Sequence, residues 1–187
     1  MPVMGPQRDV LAFGDSLTAG YGMSPQEAYP AQLEEQLKAK GHDVKIINAG
    51  VSGDTTTGGL NRLDWALKHN PDLVLLGLGA NDALRHLPPD LALKNLSGII
   101  AKLQEQGKDI ILLGMYAPRN FGPGYTKKFD GIYTALADQY DVPLYPFLLE
   151  GVFGNPALNL TDGLHPNDKG AEIIARNLLP FVEEFLE

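Results

Sequence analysis

Val10-Leu11-Ala12-Phe13-Gly14-Asp15-Ser16-Leu17-Thr18-Ala19-Gly20 runs four apolar residues straight into a glycine turn that presents a serine. A short apolar run bounded by turn residues is how a strand buried on both faces reads. Similar runs follow at Val44 to Asn48, Leu73 to Leu78, Ile110 to Leu113 and, more weakly, Val142 to Tyr145. Helical patterns lie between them near residues 25 to 40, 56 to 69, 89 to 106 and 125 to 140, and a last one spans about 167 to 186. This alternation predicts an α/β fold, a doubly wound parallel sheet with crossover helices.

The last helix is the clearest. Ala171, Ile174, Ala175, Leu178, Phe181 and Val182 recur at three- and four-residue spacing, with Glu172, Arg176 and Glu183 between them, so one face is expected to pack on the sheet. Gly41 and Gly107 follow helical runs and precede strands, where a left-handed residue ends a helix. Pro88-Pro89 and Pro118 to Gly124 mark loops, and no repeat or linker-like tract interrupts the chain. With 187 residues, one domain covering 1–187 is expected.

The composition, 44% hydrophobic and 20% charged, is that of an ordinary globular protein. A net charge of −8, from 23 acidic and 15 basic residues without a Lys/Arg cluster, argues against nucleic acid and anionic membrane surfaces as partners. The absence of cysteine excludes disulfides and thiolate chemistry and leaves the compartment open. No apolar stretch reaches the roughly 18 to 20 residues of a spanning helix, so no integral membrane segment is expected. Met1 to Asp9 lacks the apolar core of an export signal; the protein is expected to be cytosolic as written, or periplasmic or secreted where a signal has been removed. A monomer is the simplest expectation for its assembly.

Ligands of a doubly wound sheet bind beyond the carboxyl ends of its strands, and the polar motifs fall there. Gly14-Asp15-Ser16 follows the first strand, Asn48 to Gly53 the second, Gly79-Ala80-Asn81-Asp82 the third, and Asp162-Gly163-Leu164-His165 lies between the fifth strand and the last helix. Singly, each has a plain reading: Gly-Asp-Ser and Asn-Asp are good turns and caps, Asp-Gly is a turn dipeptide, and Gly50 to Gly53 suits a loop. Together they supply a nucleophile, a base and an orienter.

Of the four histidines, His42 sits in a helix-to-strand turn, His69 ends a helix and His86 lies in a polar loop. Only His165 has an acid close by in a strand-end loop. From three residues upstream, Asp162 can accept a hydrogen bond from one imidazole nitrogen and turn the other toward Ser16. Serine attacks only if a base takes its proton. The resulting oxyanion needs donors, for which the backbone N–H groups of Ser16 and Gly53 and the side-chain amide of Asn81 are the candidates.

These blocks, in this order and without departure at Ser16, Gly53, Asn81 and His165, resemble the SGNH, or GDSL-type, hydrolase family. Asn48 to Leu63 and Pro118 through Pro146-Phe147 extend the similarity to its bacterial thioesterase/lysophospholipase and arylesterase subgroup. The resemblance implies a flavodoxin-like three-layer sandwich with helices on both faces and strand order 2-1-3-4-5. It also implies metal-free and cofactor-free hydrolysis of esters and thioesters, with Ser16 as nucleophile, His165 as base then acid, Asp162 as its orienter, and Ser16, Gly53 and Asn81 as oxyanion hole. Asp15 and Asp82 match motif positions but read better as carboxylates that hold loops in shape.

The partner is then a small-molecule ester or thioester. Short to medium acyl chains on aryl, glyceryl or thioester leaving groups, lysophospholipids included, are expected. The pocket is assigned to Met115, Tyr116, Phe121 and Leu164, with the Leu84 to Leu87 loop beside them; core packing explains the apolar ones about as well. A carbohydrate O-deacetylase or acyltransferase with the same triad remains an alternative. So does a flavodoxin-like binding module holding a flavin or nucleotide, although no phosphate-binding glycine fingerprint is present and that reading leaves Asp162 and His165 without a role.

Overall fold

A computed structural model describes residues 6–187; the first five positions of the Met1 to Asp9 stretch read above for an export signal lie outside them. The elements follow in the order β1 (Arg8–Gly14), α1 (Ser16–Ala19), α2 (Tyr29–Ala39), β2 (Val44–Gly50), α3 (Thr56–Ala66), β3 (Leu73–Gly77), α4 (Ala80–Leu84), α5 (Pro89–Glu105), β4 (Asp109–Leu113), α6 (Pro123–Tyr140), β5 (Leu144–Tyr145) and α7 (Asp168–Leu186). Short 3-10 turns occupy Leu67–His69, Arg119–Phe121 and Pro156–Leu158.

The five strands form one parallel sheet in the order β2-β1-β3-β4-β5. The chain moves one way from β1 to β2 and the other way from β2 onward. Right-handed crossovers therefore put α2 on one face and α3, α5 and α6 on the opposite face. The contacts agree: α2 packs against α7, while α3 packs on α5 and α5 on α6. Every residue of β3 is buried, as are Val10 to Phe13 of β1, because helices cover both faces. On α7 the face read from sequence is the buried one, through Ala171, Ile174, Ala175, Leu178 and Val182.

Pro123 and Gly124, read as loop, open α6, and two further boundaries differ from the sequence reading, each for a local reason. The helix expected from residue 25 begins at Tyr29, with Pro30 in its first turn, because Ser24 to Glu27 close a separate turn in which the Glu27 carboxylate accepts from the Ser24 N–H and hydroxyl. The fifth strand keeps only Leu144–Tyr145, since Pro143 has no N–H to contribute to a ladder.

The strand ends position the site. Gly14 pairs in register with Gly50 on one side and Gly77 on the other, so β1, β2 and β3 stop level. A Cβ on Gly50 would run into the Ala19 backbone, and one on Gly14 into the Thr18 side chain. The bare strand ends thus let α1 lie directly on the sheet rim, with Ser16 as its first residue. The connections leaving β1 and β3 diverge to opposite sides, which opens the crevice where such folds bind ligands.

Candidate active site

Ser16 is placed by the carboxylate before it. Asp15 caps α1, its Oδ1 accepting the Leu17 N–H at 3.0 Å, and the helix closes at Gly20 in the left-handed conformation. Asp15 is 1% exposed. Burial raises its pKa to about 7, partly opposed by the Leu17 hydrogen bond and the nearby His165.

His165 arrives from the far end of the chain. Its loop is pinned by an antiparallel bridge between Asn159 and Pro166, by the Leu160 N–H donating to the His165 carbonyl at 2.7 Å and by the Asn167 N–H donating to the Leu158 carbonyl at 3.0 Å. Asn167 then caps α7, accepting from the Gly170 N–H at 3.0 Å. Within the loop, Asp162 Oδ1 accepts the backbone N–H groups of Leu164 and His165 at 2.9 and 3.0 Å, and Oδ2 lies 2.6 Å from His165 Nδ1. These bonds hold the Asp162 pKa down at about 2, so near neutrality it is a carboxylate that fixes the proton on Nδ1. The other nitrogen, Nε2, lies 2.9 Å from Ser16 Oγ and is left to accept the hydroxyl proton.

Ser16, Asp162 and His165 are thus one hydrogen-bonded chain across 149 positions of sequence. The ring of Tyr21 covers the imidazole, centroids 4.4 Å apart. Tyr21 lies just past the motif, and only the turn made by α1 brings it back over His165.

The candidate oxyanion donors follow the ends of β1, β2 and β3. Gly53 has φ of +82°, a conformation open to glycine and strained for other residues. Among the described residues, no hydrogen bond takes up the backbone N–H of Ser16 or of Gly53. Asn81, in α4, donates one amide hydrogen to the Asp54 carbonyl at 2.8 Å, which orients the group and leaves its second hydrogen available. Asp82 is fully buried and accepts from the Thr56 N–H and hydroxyl at 2.8 and 2.7 Å, tying α4 to the start of α3. Asp15 and Asp82 therefore hold loops in shape, as read from sequence.

Two arginines that sequence reading passed over hold the second loop. Arg85 donates to the Gly53 carbonyl at 2.8 Å. Arg62 donates to the Asp54 carboxylate, the Ala49 carbonyl and the Gly14 carbonyl at 2.6, 2.9 and 2.8 Å. Arg62 had a signal: it sits beside Leu63, between Gly59 and Ala66, on the buried side of α3, where a lone cation needs partners.

The proposed pocket residues separate. Met115 is 7% exposed and belongs to the core, so packing accounts for it. Tyr116 and Leu164 are about half exposed, Tyr116 stacking on Phe147 at 4.6 Å. Phe121 stacks on His86 at 4.4 Å, and His86 also meets Tyr125. His86, in the loop after α4, is therefore part of an aromatic wall joining that loop to the loop after β4, a contact between distant segments that its own loop does not show. Of the other histidines, His42 pairs with Glu183 at 3.0 Å and His69 meets Trp65 edge-on. Among the described residues no three His, Asp or Glu side chains converge as metal ligands, and no helix is long and apolar enough to cross a membrane.

Comparison with known proteins gives a consistent picture. Residues 12–173 match the GDSL-like lipase/acylhydrolase family. The chain is 42% identical to an arylesterase of Vibrio mimicus, over 91% of this chain and 88% of that protein. It is 39% identical to the thioesterase 1/protease 1/lysophospholipase L1 of Escherichia coli, over 92% and 84%. Its fold superposes on the crystal structure of AlinE4, an SGNH-hydrolase family esterase, with a TM-score of 0.82 and 47% identity, covering 98% of this chain and 99% of that one.

Proposed function

We propose that this chain, which belongs to the GDSL-like lipase/acylhydrolase family, is a serine esterase whose whole length forms one hydrolase domain and whose substrates are small-molecule carboxylic esters. The observation that carries the reading is the continuous chain from Asp162 through His165 to Ser16, with contacts of 2.6 and 2.9 Å.

Ser16 Oγ attacks the ester carbonyl while His165 Nε2 takes the hydroxyl proton. Asp162 keeps the Nδ1 proton in place and stabilises the imidazolium that forms. Negative charge gathers on the former carbonyl oxygen, which the N–H groups of Ser16 and Gly53 and the free hydrogen of Asn81 receive. His165 returns its proton to the leaving oxygen, the alcohol departs, and an acyl ester remains on Ser16. Water then attacks that ester, with His165 again as base, and releases the acid.

The acyl or alcohol group is proposed to lie along Tyr116, Phe121 and Leu164, with Met115 behind them. These apolar surfaces favour short to medium acyl chains on aryl or glyceryl alcohols, and the arylesterase and thioesterase names of the relatives support trying thioesters and lysophospholipids alongside. The test is a series of acyl lengths on ester and thioester, with Ser16→Ala as control and a serine-directed phosphonate as label. Ester turnover that Ser16→Ala abolishes, and a label on Ser16 alone, are expected. Turnover surviving in Ser16→Ala refutes the reading.

A further inference from the structure

Arg62 is a cation with 18% of its side chain exposed and a carboxylate, that of Asp54, as its ion-pair partner. All three arms of its guanidinium are used. Nε donates to Asp54 Oδ2, Nη1 to the carbonyl at the end of β2 and Nη2 to the carbonyl at the end of β1. The plane also lies over the Phe13 ring, 4.2 Å from its centroid. Such a fork holds several acceptors at fixed angles, which an ammonium cannot do.

What the fork holds is informative. Gly14 precedes the Asp15-Ser16 pair, whose second member supplies one candidate oxyanion donor. Asp54 follows Gly53, the second, and its own backbone carbonyl receives the amide of Asn81, the third. The Gly14 carbonyl that meets Arg62 also accepts the Val51 N–H at 3.0 Å. Asp54 is itself wedged over the first turn of α3, where Gly58 leaves room for its carboxylate. Gly53 thus adjoins Asp54, Asn81 is one hydrogen bond from it, and Ser16 lies two residues from the carbonyl that Arg62 holds, while the pair touches neither Ser16 Oγ nor His165.

We infer that Arg62, through Asp54, is the positioning residue that sets the three oxyanion donors at one spacing and angle. The inference rests on the oxyanion assignment proposed above. Donors displaced by a fraction of an ångström lose strength in the transition state, where charge develops, more than in the ground state. Loss of the fork therefore lowers kcat and leaves KM nearly alone.

The experiment compares wild type, Arg62→Lys, Asn81→Ala and the double variant on an aryl butyrate, with every rate referred to active sites titrated by a phosphonate burst. Arg62→Lys keeps the charge but reaches fewer acceptors; its kcat is expected to fall roughly 10- to 100-fold with KM within about threefold. The acid limb of its pH profile should stay put, because His165 and Asp162 are untouched. In the Arg62→Lys background, Asn81→Ala should cost less than about tenfold, since the amide is already out of place. Should Arg62→Lys not fold, Asp54→Asn, which keeps the shape and removes the charge, is read in the same way. A kcat per active site within about twofold of wild type, or losses that simply multiply in the double variant, overturns the inference. Activity surviving in Ser16→Ala would instead overturn the underlying reading.

Discussion

Asp162→Asn probes the part of the site that sequence spacing suggested and tertiary geometry completed. The native carboxylate accepts three bonds: two backbone N–H groups on Oδ1 and the Nδ1 hydrogen on Oδ2. An amide offers one oxygen and one NH2 group. If its oxygen stays on the backbone donors, its NH2 faces Nδ1, which must then accept. The ring proton moves to Nε2, where Ser16 needs an acceptor. If the amide turns over, its NH2 confronts the two backbone N–H groups and both bonds are lost. Losing a charge-assisted bond costs about 1.5–3 kcal/mol, and either the wrong tautomer or the orphaned donors add a comparable amount, so the barrier rises by roughly 3–6 kcal/mol. The Asp162 side chain is 37% exposed; water screens the charge and solvates orphaned groups, which selects the lower half of that range. A fall of about 10² to 10³ in kcat is expected, with KM little changed. Initial rates on an aryl butyrate, normalised to burst-titrated active sites, measure it. A kcat within tenfold of wild type would show that orientation of His165 does not depend on Asp162.

Three further outcomes are expected. Asn81→Ala should lower kcat about 10²-fold, roughly 3 kcal/mol in the barrier, as for loss of an oxyanion donor; unchanged turnover removes Asn81 from the site. Asp15 has its native pKa raised to about 7 from 3.8, so the native state binds a proton that the unfolded chain does not between about pH 4 and 7, and its contribution to stability falls as pH rises through that window. Asp15→Asn, which retains an oxygen for the Leu17 N–H, should therefore compare better with wild type at pH 8 than at pH 5, by about 2–4 kcal/mol in urea unfolding; an equal difference at both pH values refutes the buried-charge account. Phe121→Ala, which opens the wall made with His86, should reduce kcat/KM about tenfold for an octanoyl ester and less than threefold for an acetyl ester. A uniform loss would place Phe121 outside the acyl site.

Ser16, Gly53 and Asn81 could be read as candidates because each follows a strand end in a turn-rich block, and Asp162 and His165 because a turn dipeptide sets an acid three residues before an imidazole, patterns the chain writes in nearby residues. The parallel sheet was legible for the same reason: apolar runs and helical stripes are short-range signals. The partners of Arg62, Tyr21 and His86 were not, since they lie on other elements. The position of Arg62 on the buried side of α3 shows that it needs partners, but nothing within the helix says that two of them are the carbonyls at the ends of two strands. Met115 and Tyr116, neighbours in one apolar loop, looked equivalent and took opposite fates, one in the core and one half exposed.

Sequence alone thus determined which groups the chain carries to the strand ends, because periodicity and turn chemistry act over a few residues. Tertiary structure alone decided their spacing. The level ends of β1, β2 and β3, the bridge that holds the His165 loop and the fork of Arg62 are contacts between distant segments, and only the closed sheet brings the Ser16 hydroxyl within hydrogen-bond reach of the His165 imidazole.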